Sequence, residues 1–127
     1  MKIIRSKSRK PSRNLALEEY LFSKSTDDFL LFYVNESSVV LGSNQVVVNE
    51  VNLEFCKQHK IGVYRRMSGG GAVYHDEGNL NYCFISNKPE DNSVLNGDFL
   101  LPVIDVLNYL GIPVHSGIRK DLWLPGE

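Results

Sequence analysis

RRMSGGGAVYHDEGNLNYCFI, residues 65–85, is the stretch on which the reading of this chain turns. Three consecutive glycines, Gly69 to Gly71, stand between two β-rich runs, where each forgoes side-chain packing and adds backbone entropy that folding must remove. Such a run makes sense where backbone must approach a ligand closely or adopt positive φ. Successive exposed N–H groups in a turn of this kind form a nest for anions. Arg65 and Arg66 precede it, and an arginine fork both neutralises a phosphate and fixes its geometry. Side chains alternate along a strand, so only one of the pair can look into the site, and Arg66 is nearer the turn. No Gly-Lys-Ser/Thr follows and the next run is strand-like, which excludes a P-loop. Contiguous glycines with no helix behind them also exclude the dinucleotide fingerprint. The chemistry alone leaves two readings open, a phosphate or carboxylate site and a flexible hairpin tip.

His75 and Asp76 invite a base-and-orienter reading, but neighbours on a strand point apart and do not pair easily. His75 is left either lining a pocket or holding structure through a hydrogen bond. Asn79 and Asn81, two apart, offer amides to a ligand or to the glycine turn. His59, His75 and His115 are scattered without metal-ligand spacing.

Outward from this segment, NLALEEYLF (14–22) has a broad apolar face with Ser12 or Asn14 as cap, so the periodicity predicts a helix. FLLFYV and SVVLG, separated by Asn35, Glu36 and Ser37, read as a hairpin. A second helix is expected over 51–60, then strands at 63–66, 72–74 and 80–86. NKPEDN (87–92) is loop by composition. Helical spacing resumes over 98–110, with Gly111 as the stop and Pro113 beyond it. PVH and DLWL are short strand patterns. Pro125-Gly126 is a turn pair whose return strand lies outside the sequence, which reads as a chain stopping in mid-hairpin.

The 127 residues amount to one domain or part of one, with 43% hydrophobic and 23% charged residues, ordinary values for a globular protein. Net charge is −1, so nothing points to a polyanionic partner such as nucleic acid. The early basic run (Lys2, Arg5, Lys7, Arg9, Lys10, Arg13) is read as a solvated strand or loop. Cys56 and Cys83 form no CxxC and sit among apolar neighbours, as small core residues in a reducing compartment. No run approaches the roughly 18 apolar residues of a membrane span, and no signal-peptide core follows the basic N-terminus. The expected location is the cytoplasm.

RRMSGGGAVYHDEGN resembles the signature of the lipoate–protein ligase family: an arginine pair, serine, three glycines, a small residue, valine, an aromatic, His-Asp and Gly-Asn. Three weaker stretches agree in order. RNLALEEYLF is similar to the family's first helix, VVLGSNQVVVNEVN to its Gly-x-x-Gln segment, and SGIRKDLWL to the approach to its Asp-Leu strand. The resemblance implies an α+β fold, with a mixed, mostly antiparallel sheet flanked by helices, shared with biotin ligases. It implies activation of lipoate with ATP and Mg²⁺ to lipoyl-AMP, then transfer to a lysine of an acceptor lipoyl domain. Those acceptors belong to 2-oxoacid dehydrogenase complexes or are the glycine cleavage H protein. Carried over by position, Arg66, Ser68, Gly69, Gly70 and Gly71 embrace the lipoyl carbonyl and adenylate phosphate. Ala72, Val73 and Tyr74 form the adenosine side; Val40, Gly42 and His75 line the acyl tunnel; Asp121 faces the adenylate or its magnesium.

The family's catalytic lysine lies in a Lys-x-Ser/Thr-Gly motif on the strand after Asp-Leu, and the sequence ends at Glu127 before it. Lys120 does not fit that motif. The resemblance therefore implies residues 1–127 as the N-terminal part of the catalytic domain, truncated at its C-terminal end, without the remainder or the small C-terminal domain. Such a chain is expected to be inactive or weak alone unless a second polypeptide supplies the rest. Two alternatives remain open: an octanoyl or lipoyl transferase working without ATP through a cysteine, and a non-catalytic module that binds lipoate or its adenylate.

Overall fold

The computed structural model describes residues 1–86, 99–119 and 121–126. The chain divides into two compact units, Met1–Asn87 and Lys88–Glu127. The loop expected over 87–92 lies outside the described residues.

The first unit begins with strand β1 (Lys2–Arg5) and helix α1 (Pro11–Lys24). Proline at the first helical position is pre-set for helical φ and gives up an N–H that has no partner there. The helix starts three residues earlier than the apolar pattern suggests. Neither Ser12 nor Asn14 caps it: the cap residue is Lys10, without a side-chain bond. Asn14 instead turns inward and is fully buried.

Strand β2 (Phe29–Tyr33) alternates as a half-buried strand should, with Phe29, Leu31 and Tyr33 facing the core. Together with Leu21 of α1 and Ile85 they form the main hydrophobic cluster, against which Ile4, Leu17 and Cys83 pack. β2 runs parallel to β1 on one side and antiparallel to β6 (Asn81–Ile85) on the other.

The expected hairpin between FLLFYV and SVVLG does not form. Strand β3 (Ser38–Leu41) lies in a second three-stranded sheet, between parallel β4 (Gly62–Arg65) and antiparallel β5 (Val73–His75). Both edges of β2 and both edges of β3 are already occupied, so neither strand can accept the other. Asn35 acts as a buried post between the sheets rather than as a turn residue. The mixed α+β architecture stands, with the hydrogen bonding of this unit divided between two small sheets.

Between β3 and β4 lie a single turn of helix, α2 (Val47–Glu50), and α3 (Leu53–Gln58), shorter than the helix expected over 51–60. Asn52 caps α3 by accepting from the Phe55 N–H at 3.0 Å. The valine-rich run that forms α2 gave no helical signal.

Asn14 joins the parts of this unit. Its Nδ2 donates to the Ser8 carbonyl (3.0 Å) and to Asn35 Oδ1 (2.8 Å), while its Oδ1 accepts from the Ser6 hydroxyl (2.7 Å). Asn35 Nδ2 in turn reaches His75 Nδ1 at 3.0 Å. Buried amides are tolerable only when fully paired. Asn14→Ala would orphan Asn35 Oδ1 and the Ser8 carbonyl, and is expected to cost about 1–3 kcal/mol for each group left unsatisfied. Urea denaturation measures it; a loss under half a kilocalorie would mean that water replaces the amide freely.

In the second unit, α4 (Leu101–Tyr109) ends at Gly111, whose φ of +82° suits glycine. Asn108 ties the helix end to the next segment, donating to the Val114 carbonyl and accepting from its N–H. β7 (His115–Ser116) pairs antiparallel with β8 (Leu122–Trp123), so the DLWL run finds its partner upstream.

Candidate functional site

Residues 66–72 connect β4 to β5, the two strands flanking β3, and therefore cross the end of that strand. From Met67 to Tyr74 the segment is exposed, while Val40, Leu41 and Gly42 beneath it are buried. The loop is held from below by its carbonyls. Arg66 donates through one nitrogen to Gly69 O (2.7 Å) and Gly71 O (2.8 Å), and through the other to Val40 O (3.1 Å). The Ser68 carbonyl accepts from the Ser43 N–H at 2.9 Å. Among the described residues, the N–H groups of Ser68, Gly69, Gly70 and Gly71 have no hydrogen-bond partner. Acceptors are tied down and donors are left available, the polarity an oxyanion or phosphate needs. Gly70 takes φ +95°, a conformation that other residues avoid.

Arg65 serves a different loop. It donates to the carbonyls of Gly42 (2.8 Å), Ser43 (3.3 Å) and Gln45 (2.8 Å), and Gln45 Oε1 accepts from the Gly42 N–H at 2.9 Å. The two adjacent arginines thus fix two adjoining loops, which meet where Gly42 touches the Gly69–Gly70 backbone.

The sequence-derived site residues fall into three groups. Arg66, Ser68, Gly69, Gly70, Gly71, Ala72, Val73 and Tyr74 are contiguous along the loop and the start of β5, with Val73 and Tyr74 exposed. Val40 and Gly42 lie underneath, Val40 contributing its carbonyl to Arg66. His75 ends β5, half-buried, opposite Ser38 and bonded to Asn35. Burial and the Arg66 charge hold its imidazole below the usual histidine range, so the ring is neutral near pH 7. Asp76 does not pair with it; its Oδ1 accepts from the Gly78 N–H. Asn79 lies outside β6, and the Asn81 amide goes to the Tyr33 carbonyl (3.4 Å), not to the glycine turn.

Asp121 belongs to the second unit. Its carbonyl accepts from the Gly117 N–H at 2.8 Å, and the residue lines a 470 Å³ cleft with His115 and Trp123. No three His, Cys, Asp or Glu side chains gather as a metal group among the described residues. Magnesium commonly takes one or two carboxylates plus substrate phosphates, a donor set in which a single aspartate can serve.

Sequence reasoning missed a titratable cluster behind the loop. Burial pushes the Glu18 carboxyl up, while hydrogen bonds from Tyr33 and Cys83 and the Arg66 charge pull it down by less. The Cys83 thiol is raised to about 12, first by burial and then by Glu18, and the Tyr33 phenol is raised for the same reasons. The signal was in α1: Asn14, Glu18 and Leu21 fall at i, i+4 and i+7, so two polar residues share the face that goes inward.

The raised Glu18 value has a stability consequence. Folded Glu18 holds its proton more tightly than unfolded Glu18, so its contribution is fully present below about pH 4.5 and is lost as pH rises through the folded value. Glu18→Gln is therefore expected to gain stability over the parent above that window and to gain nothing below it. Thermal melts from pH 4 to 8 measure the difference, and a pH-independent one would contradict the assignment.

A family model of the lipoyl protein ligase A/B catalytic domain matches residues 10–127. The chain is similar to Bacillus subtilis lipoate-protein ligase LplJ, 42% identical over 119 residues, covering 92% of this chain and 36% of that protein. Among solved structures it is similar to a bi-partite lipoate protein ligase from Thermoplasma acidophilum (TM-score 0.86, 29% identity, 98% of this chain and 51% of that one). It is also similar to a lipoate-protein ligase A bound with ATP (TM-score 0.81, 30% identity, 98% of this chain and 52% of that one). The chain spans about a third of the length of the curated relatives it matches. With the family's signature on a loop whose carbonyls are held and whose N–H groups are available, the chain belongs to the lipoyl protein ligase A/B catalytic domain family.

Proposed function

We propose that residues 1–127 are the N-terminal part of a catalytic domain that activates lipoate with ATP and transfers the lipoyl group to an acceptor lysine. The observation that carries this reading is the glycine loop, with Arg66 holding the Gly69 and Gly71 carbonyls and the Ser68–Gly71 N–H groups unpaired. In the first step a lipoate carboxylate oxygen attacks the α-phosphorus of ATP, forming the acyl-phosphate anhydride and releasing pyrophosphate. In the second a lysine amine attacks the acyl carbonyl and AMP leaves. Both steps build negative charge on oxygens that the loop donors meet, each donor contributing roughly 10²–10³ in rate. Arg66 acts chiefly by positioning those donors. Ala72, Val73 and Tyr74 face the adenosine, and Val40, Gly42 and His75 the acyl chain. Where the reaction uses Mg²⁺, Asp121 would supply a carboxylate to hold it.

The family lysine is not among the 127 residues, so full turnover draws on residues outside them, in the same or a second polypeptide. The bi-partite Thermoplasma ligase makes a second polypeptide a reasonable source. That ligase and its E2 lipoyl domain are described as one archaeal lipoylation system, so we assign lipoyl domains as the acceptors here, from 2-oxoacid dehydrogenase complexes or the glycine cleavage H protein. Free Cys56 and Cys83 fit a reducing compartment such as the cytoplasm. Among the described residues, no helix is long and apolar enough to cross a membrane.

A transferase working through a cysteine fits less well. Cys56 is buried in α3, and the Cys83 thiol, pushed up to about 12, has almost none of the thiolate such chemistry needs. Lipoate-dependent exchange of labelled pyrophosphate into ATP tests the reading. The 127 residues alone should exchange weakly or not at all, and ordinary exchange should appear when the remaining catalytic residues are supplied. Silence in both sinks the ligase reading; ordinary exchange from the 127 residues alone sinks the need for the rest.

A further inference from the structure

The amide chain Ser6–Asn14–Asn35–His75 carries direction as well as stability. The Ser8 carbonyl can only accept, so the Asn14 atom 3.0 Å from it must be the NH₂. The same NH₂ donates its other proton to Asn35 at 2.8 Å, so the Asn35 atom facing it must be the carbonyl oxygen. That leaves the Asn35 NH₂ facing His75 Nδ1 at 3.0 Å, where a donor requires a bare ring nitrogen. Each amide is fixed by the one before it, back to a backbone atom that cannot change role.

We infer that Asn14 and Asn35 are positioning residues that set the tautomer of His75, leaving Nδ1 as acceptor and Nε2–H as the one donor the ring can offer. Asn14 on α1 and Asn35 in the connection between β2 and β3 are both fully buried, so water has little chance to reverse the relay. Among the described residues Nε2 has no partner. On the ligase reading, this makes His75 a neutral single donor beside the glycine loop, complementary to the acyl carbonyl oxygen at the head of the chain it lines rather than to a proton donor. Arg66 is the charged group whose field reaches the ring, and it disfavours an imidazolium there.

Two-bond ¹H–¹⁵N correlation spectra of the histidine-labelled chain at pH 7.5 report the protonated nitrogen directly, with His75 identified by its loss in His75→Gln. His75 should carry its proton on Nε2. His59 provides an internal contrast, because its Nδ1 faces the Phe55 carbonyl at 2.9 Å and must be the donor. Asn35→Asp places an acceptor against Nδ1 and should move the His75 proton to Nδ1 or charge the ring. Asn14→Asp should do the same from one residue further away, by turning the Asn35 amide over. A wild-type His75 protonated on Nδ1 overturns the inference, as does a folded Asn35→Asp or Asn14→Asp that keeps the neutral Nε2–H form. If one variant fails to fold, the wild-type spectrum and the other still decide. The same variants should weaken binding of a non-hydrolysable lipoyl-adenylate analogue about tenfold. A wild-type chain, supplied with the remaining catalytic residues, that shows the Nε2–H tautomer but does not bind the analogue would count against the ligase reading alone.

Discussion

Arg66→Ala is expected to lower lipoate-dependent pyrophosphate exchange by about 10²–10³-fold, the loss associated with an oxyanion donor that is no longer in place. Measured in the protein supplied with its remaining catalytic residues, the change should exceed anything explained by unfolding. Arg66 makes three charge-assisted bonds, to the carbonyls of Val40, Gly69 and Gly71. Without them the loop keeps, among the described residues, the backbone bonds Ser43–Ser68 and Arg66–Leu41, neither of which touches a glycine of the run. A side chain added at Gly69 or Gly71 would touch nothing, so packing does not hold those residues either. Freeing each glycine restores about 1–2 kcal/mol of backbone entropy that binding must then remove. Arg66→Lys should recover little, because one ammonium cannot span three carbonyls in the fixed plane of a guanidinium. If Arg66→Ala exchanged within threefold of the parent, the loop would not need its anchor and the account of the site would fail.

Gly42→Ala should be nearly as damaging for a different reason. A Cβ at this position would overlap the Gly70 carbonyl oxygen and lie 3.0 Å from its carbon and 3.2 Å from the Gly69 carbon. All three are backbone atoms, so no rotamer change relieves the clash. Either β3 and the loop separate, breaking the Arg66 bond to Val40 and the Ser43–Ser68 backbone bond, or strain remains at about 1–3 kcal/mol. The expected result is a lowered melting temperature together with affinity for the lipoyl-adenylate analogue reduced tenfold or more. Gly71→Ala is the control: a Cβ there meets no neighbour and φ is not in the left-handed region. Equal effects at the two positions would show that glycine content, not the close approach, matters.

The local code for the loop was legible because it is punctuated. Three glycines and a preceding arginine pair announce an irregular backbone with a cationic neighbour, and α1, β2 and β6 follow from apolar period. The fold's connectivity was less so. Asn35-Glu36-Ser37 has the composition of a turn, and nothing in it says that β2 and β3 have all four edges taken by strands up to 56 residues away. Asn14 looked like a cap because asparagine beside an apolar run usually is one. Pro11 starts the helix earlier and leaves Asn14 to pair with a residue 21 positions on. Glu18 and Cys83 meet only after α1 packs on the sheet, so their raised values could not be read along the chain. What the sequence concealed is long-range pairing, which local propensity does not encode.

The most direct test of the central claim is the amide spectrum of the ¹⁵N-labelled chain during titration with a non-hydrolysable lipoyl-adenylate analogue, alone and with the remaining catalytic residues supplied. The largest shifts are expected at the Ser68, Gly69, Gly70 and Gly71 N–H groups, with downfield movement as they take up ligand oxygens. Saturable binding that leaves those four amides unmoved would contradict it.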